Sequence, residues 1–417
     1  MNKSKKSILE GKRILLGITG GIAAYKVPDL VRLLIKAKAD VRVVMTDAAQ
    51  QFVTPLTMQA ISQHVVATDL FDLSQEATIG HIELADWAEL LVIAPATADV
   101  VARLALGFAN DLLTTIALAC QAPLLIAPAM NVNMWQHPAT KNNVAVLTER
   151  GAEIVGPGHG ELACGWVGSG RMSEPEEILE GCCRALGPQD LKGLRILVTA
   201  GPTYEALDPV RFITNRSTGK MGYALAQAAA WRGADVILVS GPTVLPTPVG
   251  VKRIDVESAR EMHDKVVAHR SDADVIALVA AVGDYRPQVV STKKLKKTAL
   301  GNTPSIQLEE NPDILKELGA KKWVGKRKPP FLIGFAAETE NIEQHAAAKF
   351  QAKGCDLMIA NDISEAGSGF KTDTNRVYIV SNHRDKADKP TGEWLPKMTK
   401  AEVANAILDK MINILNP

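Results

Sequence analysis

Apolar residues fall in short continuous runs, separated by stretches of helix length. In the first half the runs lie at 13–19 (RILLGIT), 41–46 (VRVVMT), 90–94 (LLVIA), 123–127 (PLLIA) and 153–156 (EIVG). In the second half they lie at 195–200, 235–240, 274–280, 331–335, 356–360 and 376–380. Most are continuous rather than alternating, as expected of parallel strands covered on both faces. Their alternation with helical stretches predicts βαβ units in doubly wound sheets.

The halves open alike. GKRILLGITGG and KGLRILVTAGP both read as strand, glycine-bearing turn and helix, and each is followed by a similar second strand, KADVRVV or GADVILV. The polar, Gly- and Pro-bearing stretch LGPQDLKG marks the boundary, giving domains of 1–189 and 190–417. The predicted fold is α/β, two Rossmann-like doubly wound domains in tandem. Ligands of such sheets bind at the carboxyl ends of the strands, so the residues just after each run are the candidates for chemistry. Neither GxGxxG nor GxxxxGK[ST] occurs, which removes an ordinary dinucleotide fingerprint and a P-loop.

Composition narrows the class further. At 417 residues, with 47% hydrophobic and 22% charged, the chain suits a two-domain globular protein. A net charge of +1 gives no reason to expect a nucleic-acid or membrane partner. The basic start MNKSKKSILEGKR leads into no apolar run of signal-peptide length, and no run approaches a membrane span. The five cysteines form no CxxC pair, which predicts free thiols in a reducing, cytoplasmic setting.

In the first half Gly20 and Gly21 follow the first strand, where backbone without Cβ can approach a ligand and a helix start can face a phosphate. Thr46 ends the second strand, and Thr97 lies just past the third at a plausible helix start. Each suits a mononucleotide phosphate, and each equally suits a turn or helix cap. His81 precedes a helical stretch. Asn131, in PAMNVNMW, follows a buried strand, where an amide can hold a carboxylate or cap a helix. Cys164 lies in ELACGWVGSGRMSEP (161–175), an aperiodic glycine-rich stretch expected to be a mobile flap. GITGGIAAYK, the His81 segment, GFANDLL, PAMNVNMW and ACGWVGSGRM occur in the order found in flavin-dependent cysteine decarboxylases, a flavodoxin-like family that this half resembles over 10–180. Phe108 departs slightly from the family pattern, where Met or Ile is more usual. The resemblance implies FMN as cofactor and oxidative decarboxylation of a C-terminal cysteine. It implies His81 as base or electrostatic partner, Asn131 as grip on the departing carboxylate, and Cys164 as proton donor in the closing reduction.

In the second half TAGPTYEALDPVRFITNRSTGKMGYALA (199–226) crowds Arg211, Asn215, Arg216 and Lys220 before a helix, a density of donors that favours an anion site. Asp284, in AAVGDYRP, stands at a strand end where it can hold a divalent cation. KKLKK (293–297) follows in an aperiodic stretch, as a phosphate-closing loop would. Lys349 and Lys353 share one face of a predicted helix, and a polyphosphate between them would offset their repulsion. The exposed insert KKWVGKRKPP suggests no function. TAGPT, ITNRSTGKMG, AAVGDYRP, KLKK, NPDIL and GFAAET resemble the phosphopantothenate–cysteine ligases over about 190–412, with Gly283 where Ala is more usual. The whole chain thus resembles the bacterial fused phosphopantothenoylcysteine decarboxylase/phosphopantothenate–cysteine ligase family. The resemblance implies CTP and magnesium, with an acyl-cytidylate that cysteine converts to the decarboxylase substrate. It implies that Asn215 stabilises the acyl-cytidylate, Lys294 neutralises charge in forming it, and Asp284 holds metal or nucleotide. Asn311, Asp313, Phe335, Lys349 and Lys353 become further CTP contacts. It also implies a homo-oligomer, with trimeric first halves and dimeric second halves combining as a dodecamer.

Two other readings compete. An inactive flavin-binding regulator would lack one of His81, Asn131 and Cys164, and all three are present. A decarboxylase of peptide C-terminal cysteines would leave the second half without a task.

Overall fold

The computed structural model describes residues 8–70, 80–161, 165–296, 305–320, 328–365, 367–369, 371–384 and 390–415. The chain forms two compact units, Met1–Pro188 and Gln189–Pro417. Among the described residues no helix is long and apolar enough to cross a membrane.

The first unit is built on strands β1 (Arg13–Ile18), β2 (Asp40–Met45), β3 (Leu90–Ala96), β4 (Leu124–Pro128) and β5 (Glu153–Ile154). They pair in parallel in the order β2-β1-β3-β4-β5. Every residue of β3 is buried, which is why its sequence runs apolar without alternation. The helix Val27–Lys36 shows how a covering element is specified. Pro28 sits in its first turn, Lys36 in its last, and Val27, Leu30, Val31 and Leu34 are buried at the spacing of one helical face. A hairpin of β6 (Gly158–Glu161) and β7 (Val167–Arg171) follows the sheet. The stretch 161–175, expected to be an aperiodic flap, is therefore antiparallel ladder at Glu161 and over Val167–Arg171.

The second unit contains β8 (Arg195–Ala200), β9 (Glu205–Ala206), β10 (Phe212–Ile213), β11 (Asp235–Ser240), β12 (Val251–Asp255), β13 (Val275–Leu278), β14 (Tyr285–Pro287), β15 (Leu308–Glu310), β16 (Phe331–Glu338), β17 (Leu357–Asp362), β18 (Thr374–Asn375), β19 (Val377–Arg384), β20 (Pro390–Trp394) and β21 (Met398–Thr399). Its main sheet has the order β12-β11-β8-β13-β16-β17-β19-β20. Alternate residues of β8 serve opposite faces. Ile196, Val198 and Ala200 join one core cluster, beside the helices Lys220–Trp231 and Lys400–Leu415, and Leu197 joins the other.

Two features depart from the expected sheet. β19 and β20 are antiparallel additions at one edge. At the other edge β12 (VKRID) is largely half-exposed, so its charges hid it from a reading based on apolar runs.

Candidate functional sites

In the first unit the strand order reverses between β1 and β3, and the carboxyl ends of the strands at such a point are where these sheets take their ligands. The candidate residues distribute along this edge. Thr46 follows β2, Gly20 and Gly21 follow β1, Thr97 follows β3 and Asn131 follows β4. The helix His81–Trp87 leads straight into β3. His81 is the first residue of that helix, directly after Gly80.

The two glycines have different reasons to be there. A Cβ at Gly20 would lie 2.3 Å from Ala48 Cβ and 2.9 Å from the Ala48 carbonyl carbon, so only glycine lets the loops after β1 and β2 touch. Gly21 is extended, and a Cβ there would meet only Thr97 Cγ2, at 3.8 Å. Thr19 supplies the tie across the switch point. Its hydroxyl donates to Pro95 O (2.6 Å) and accepts from the Thr97 N–H (3.2 Å).

The threonines and Asn131 do have structural duties. Thr97 Oγ1 caps the helix Ala98–Leu106 through Val100 N–H (3.4 Å). Thr46 Oγ1 accepts from Ala49 N–H (3.3 Å). Asn131 Oδ1 caps the helix Val132–Gln136 through Asn133 N–H (2.8 Å). Met130 N–H donates to Gly170 O (2.9 Å), which seats β7 against the Asn131 segment. Cys164, in the connection of the hairpin, lies outside the described residues. The cysteines that are described, Cys120, Cys182, Cys183 and Cys355, are free thiols.

Sequence reasoning missed Lys26. Its buried ammonium meets both oxygens of Glu174 at 2.9 Å, and Arg171 at the end of β7 meets Oε1 of the same carboxylate at 2.7 Å. This hydrogen bond from Lys26 holds the Glu174 carboxyl below its ordinary value. It also fastens the base of the hairpin to the turn that follows Gly20 and Gly21. A charged residue inside the apolar stretch GGIAAYKVPDLV was the available signal.

In the second unit the order reverses between β8 and β13, and a cleft of about 640 Å³ opens there. Residues 278–285, 310–315 and 335–337 line it, with Ser217, Gly219, Lys220, Lys349, Lys353 and Lys400. It therefore gathers Asp284, Asn311, Asp313, Phe335, Lys349 and Lys353, the first and last of them more than 60 positions apart in the chain. Thr199 Oγ1 accepts from the N–H groups of Val279 and Ala280, both at 3.1 Å, and Thr203 Oγ1 accepts from Gly283 N–H (3.0 Å). These bonds shape the loop after β13. A Cβ at Gly222 would lie 2.6 Å from Ala200 Cβ, so glycine lets the amino end of the helix Lys220–Trp231 pack against the end of β8.

Several polar groups here are already engaged. Asn311 Nδ2 donates to Gly283 O (2.8 Å), and its Oδ1 accepts from Arg286 (3.1 Å). Lys349 pairs with Glu338 (2.7 Å) and Lys353 pairs with Asp313. The expected repulsion between these two lysines is thus answered by carboxylates. Asp284 is exposed at the cleft, and its carbonyl accepts from Asn311 N–H (2.8 Å). Among the described residues no group of three or more His, Cys, Asp and Glu gathers to hold a metal.

Asn215 and Lys294 are not in the lining. Asn215 Nδ2 donates to the carbonyl of Ala281, which is, and its Oδ1 accepts from Ser217 N–H (3.0 Å). Lys294 is exposed on a loop held by Asp208, whose carboxylate accepts from Leu295 N–H (3.0 Å) and from Arg211 (2.6 Å). Arg211 holds this fully buried carboxyl well below the usual range. Arg211 is thereby a loop anchor, and also donates to Leu295 O (2.6 Å). Lys220 donates to Asp373 (2.6 Å). Sequence reasoning also passed over Lys400, Asn361 and Asn375, which line the cleft from the far end of the chain.

The flavoprotein family model matches residues 2–187, and the model of the DNA/pantothenate metabolism flavoprotein C-terminal domain matches 191–415. The Coenzyme A biosynthesis bifunctional protein CoaBC of Vibrio vulnificus (strain CMCP6) is 50% identical over 407 residues, covering 98% of this chain and 99% of its own. That of Escherichia coli (strain K12) is 47% identical over 406 residues, covering 97% of each. A crystal structure of the C-terminal domain of such a protein is 42% identical, covers 54% of this chain and 98% of its own, and has a TM-score of 0.44. With identity at this level along nearly the whole chain, and a flavoprotein domain joined to the pantothenate-metabolism domain, the chain belongs to the coenzyme A biosynthesis bifunctional protein family.

Proposed function

We infer that the chain catalyses two successive steps of coenzyme A biosynthesis. The second unit joins 4′-phosphopantothenate to cysteine at the expense of CTP, and the first decarboxylates the resulting 4′-phosphopantothenoylcysteine to 4′-phosphopantetheine. One observation carries this reading. In each unit the candidate polar residues collect at the carboxyl edge of a sheet, beside the point where strand order reverses, in a chain that matches the bifunctional relatives end to end.

For the first unit the flavin is FMN. The edge fits its phosphate: backbone is open at Gly21, hydroxyls stand at Thr46 and Thr97, and a helix begins at Ala98. FMN supplies the two-electron couple of the reaction. His81 acts as base or electrostatic partner at the cysteinyl end of the substrate. Asn131 orients the carboxylate that leaves. Cys164 delivers the last proton to carbon, the general-acid work of a positioned thiol.

For the second unit CTP occupies the cleft. Its polyphosphate takes over Lys349 and Lys353 from Glu338 and Asp313, with Asn311 and Phe335 completing the nucleotide walls. Asp284 would hold the magnesium that accompanies CTP, which would supply charge neutralisation at the phosphates; one carboxylate is enough for an ion that ordinarily keeps most of its waters. Lys294 neutralises the charge that builds as the substrate carboxylate attacks the α-phosphate and pyrophosphate leaves. Asn215, anchored on Ala281, orients the acyl-cytidylate while the amine of cysteine displaces CMP. The protein acts in the cytoplasm as a homo-oligomer, in which trimeric first units and dimeric second units combine as a dodecamer.

The test is a mass-balanced assay of the purified chain with CTP, 4′-phosphopantothenate and cysteine. Pyrophosphate, CMP and carbon dioxide are expected in equal amounts, from a yellow protein. CTP consumption without cysteine-dependent CMP release, or a colourless active protein, would refute the reading.

A further inference from the structure

On the reading above, the cleft of the second unit accepts two anionic substrates, and its lining offers cations in two places. Lys349 and Lys353 stand on one helix against carboxylates. Lys220 and Lys400 form the other group, and the reading above assigns neither to the nucleotide.

Lys400 opens the helix Lys400–Leu415 and is only 6% exposed, which a lysine tolerates when its ammonium is satisfied. Its Nζ donates to the carbonyls of Gly369 (3.0 Å), Thr372 and Thr374 (3.3 Å), three acceptors for three protons. Its backbone N–H donates to Asp373 O (2.9 Å). The carbonyls on both sides of Asp373 are therefore held from beneath by one buried cation. Asp373 itself points outward, its side chain 85% exposed, and accepts from Lys220 Nζ at 2.6 Å. Lys220 also donates to Lys371 O (3.2 Å). Lys220 is the first residue of the helix Lys220–Trp231, and it lines the cleft with Gly219 and Ser217. An exposed ion pair alone fixes little, because two free side chains lose entropy on meeting. Here the backbone bearing the carboxylate is already held, so the pair orders two side chains and no loop.

We propose that Lys400 and Asp373 are positioning residues of the ligase: Lys400 rigidifies the backbone around Asp373, and Asp373 aims Lys220 so that its ammonium meets the phosphate of 4′-phosphopantothenate at the amino end of the helix. The charges fit a site made for an anion. Burial and the charge of Lys220 push the Lys400 ammonium down to about 8, with Asp373 opposing, and a phosphate beside Lys220 adds to the relief. The inference rests on the ligase reading and concerns the substrate that is not the nucleotide.

The test uses the full chain carrying Asp373→Asn, Lys400→Met or both, with each ligase substrate varied in turn and carbon dioxide release from 4′-phosphopantothenoylcysteine measured in parallel. Asp373→Asn alters an exposed side chain and leaves folding intact. It should raise KM for 4′-phosphopantothenate about tenfold, as expected for one misaligned charged hydrogen bond. The kcat and the KM values for CTP and cysteine should stay within about twofold. Lys400→Met should show the same selective rise, and the double variant should be no worse than Lys400→Met alone, because both residues act through Lys220. A merely structural role would instead lower the melting temperature and kcat without singling out one substrate. An unchanged KM for 4′-phosphopantothenate in Asp373→Asn, or effects that multiply in the double variant, overturns the proposal. Should Lys400→Met not fold, Asp373→Asn combined with Lys220→Met decides it by the same non-additivity. A wild-type chain that ligates nothing overturns the functional reading itself, and is distinguished by the absence of any measurable KM.

Discussion

Gly20→Ala and Gly21→Ala form a matched pair that tests the flavin edge. Both add one methyl to adjacent residues of the same turn. At Gly20 the new carbon would sit 2.3 Å from Ala48 Cβ and 2.9 Å from Ala48 C, whereas carbon atoms rest at about 3.5–4 Å. Ala48 has no side chain to swing away, and its turn is pinned by Thr46 N–H to Ile18 O (3.1 Å) and Ala49 N–H to Thr46 O (2.9 Å). The loops after β1 and β2 must therefore part by roughly an ångström, a strain of the kind that costs about 1–3 kcal/mol. If those loops cradle the FMN phosphate, the cost appears in binding as a loss of about 5- to 150-fold in affinity. Gly21 is extended backbone with its nearest neighbour at 3.8 Å, so Gly21→Ala should bind flavin within about threefold of wild type. The assay is fluorescence titration of the flavin-stripped protein with FMN, alongside thermal melts of the loaded protein. Ligase activity should survive in both variants, because that chemistry sits in the other unit. Gly20→Ala binding as tightly as wild type, or Gly21→Ala losing flavin equally, would refute the argument from close approach.

Three further outcomes follow from the assigned roles. His81→Asn should lower carbon dioxide release by at least about 10²-fold while the protein stays yellow, the loss expected for one acid–base group; a colourless variant would make His81 structural. Cys164→Ser should still release carbon dioxide but form no 4′-phosphopantetheine, with an oxidised thiol product accumulating by mass spectrometry; a normal yield would remove Cys164 from the mechanism. Lys294→Gln should lose pyrophosphate release even without cysteine, by about 10²–10³-fold as for one well-placed electrostatic donor, whereas Asn215→Asp should release pyrophosphate once and retain the acyl-cytidylate. Single-turnover analysis with labelled CTP separates the two, and accumulation of the anhydride by the Lys294 variant would reverse the division of roles.

The sequence alone determined the strand framework. Parallel strands covered on both faces read as near-continuous apolar runs, and short runs such as LLVIA and RILVTA, recurring between stretches of helix length, fit such strands better than buried helices. It also located the candidate chemistry, because residues following such runs fall at the carboxyl edge of the sheet whatever the helices do. The strands that escaped were those governed by different physics. β12 is a half-exposed edge strand, and β20 is a short strand paired antiparallel with β19 at the other edge.

Only the tertiary structure decided which polar groups face one another. Pairing energies belong to residues far apart in sequence, and no local pattern announces them. Lys26 meets Glu174 across 148 residues, and Arg211 anchors the Lys294 loop through Asp208 and Leu295, 84 residues on. Gly20 and Gly21 look equivalent in sequence, yet only Gly20 touches the neighbouring turn, because that contact is set by how β1 and β2 pair. Lys400 lies in PKMTKAEVANAIL, a stretch that reads as a solvated helix start. Its burial beneath three carbonyls exists because the last helix packs under the segment before β18, a juxtaposition that chain topology alone creates.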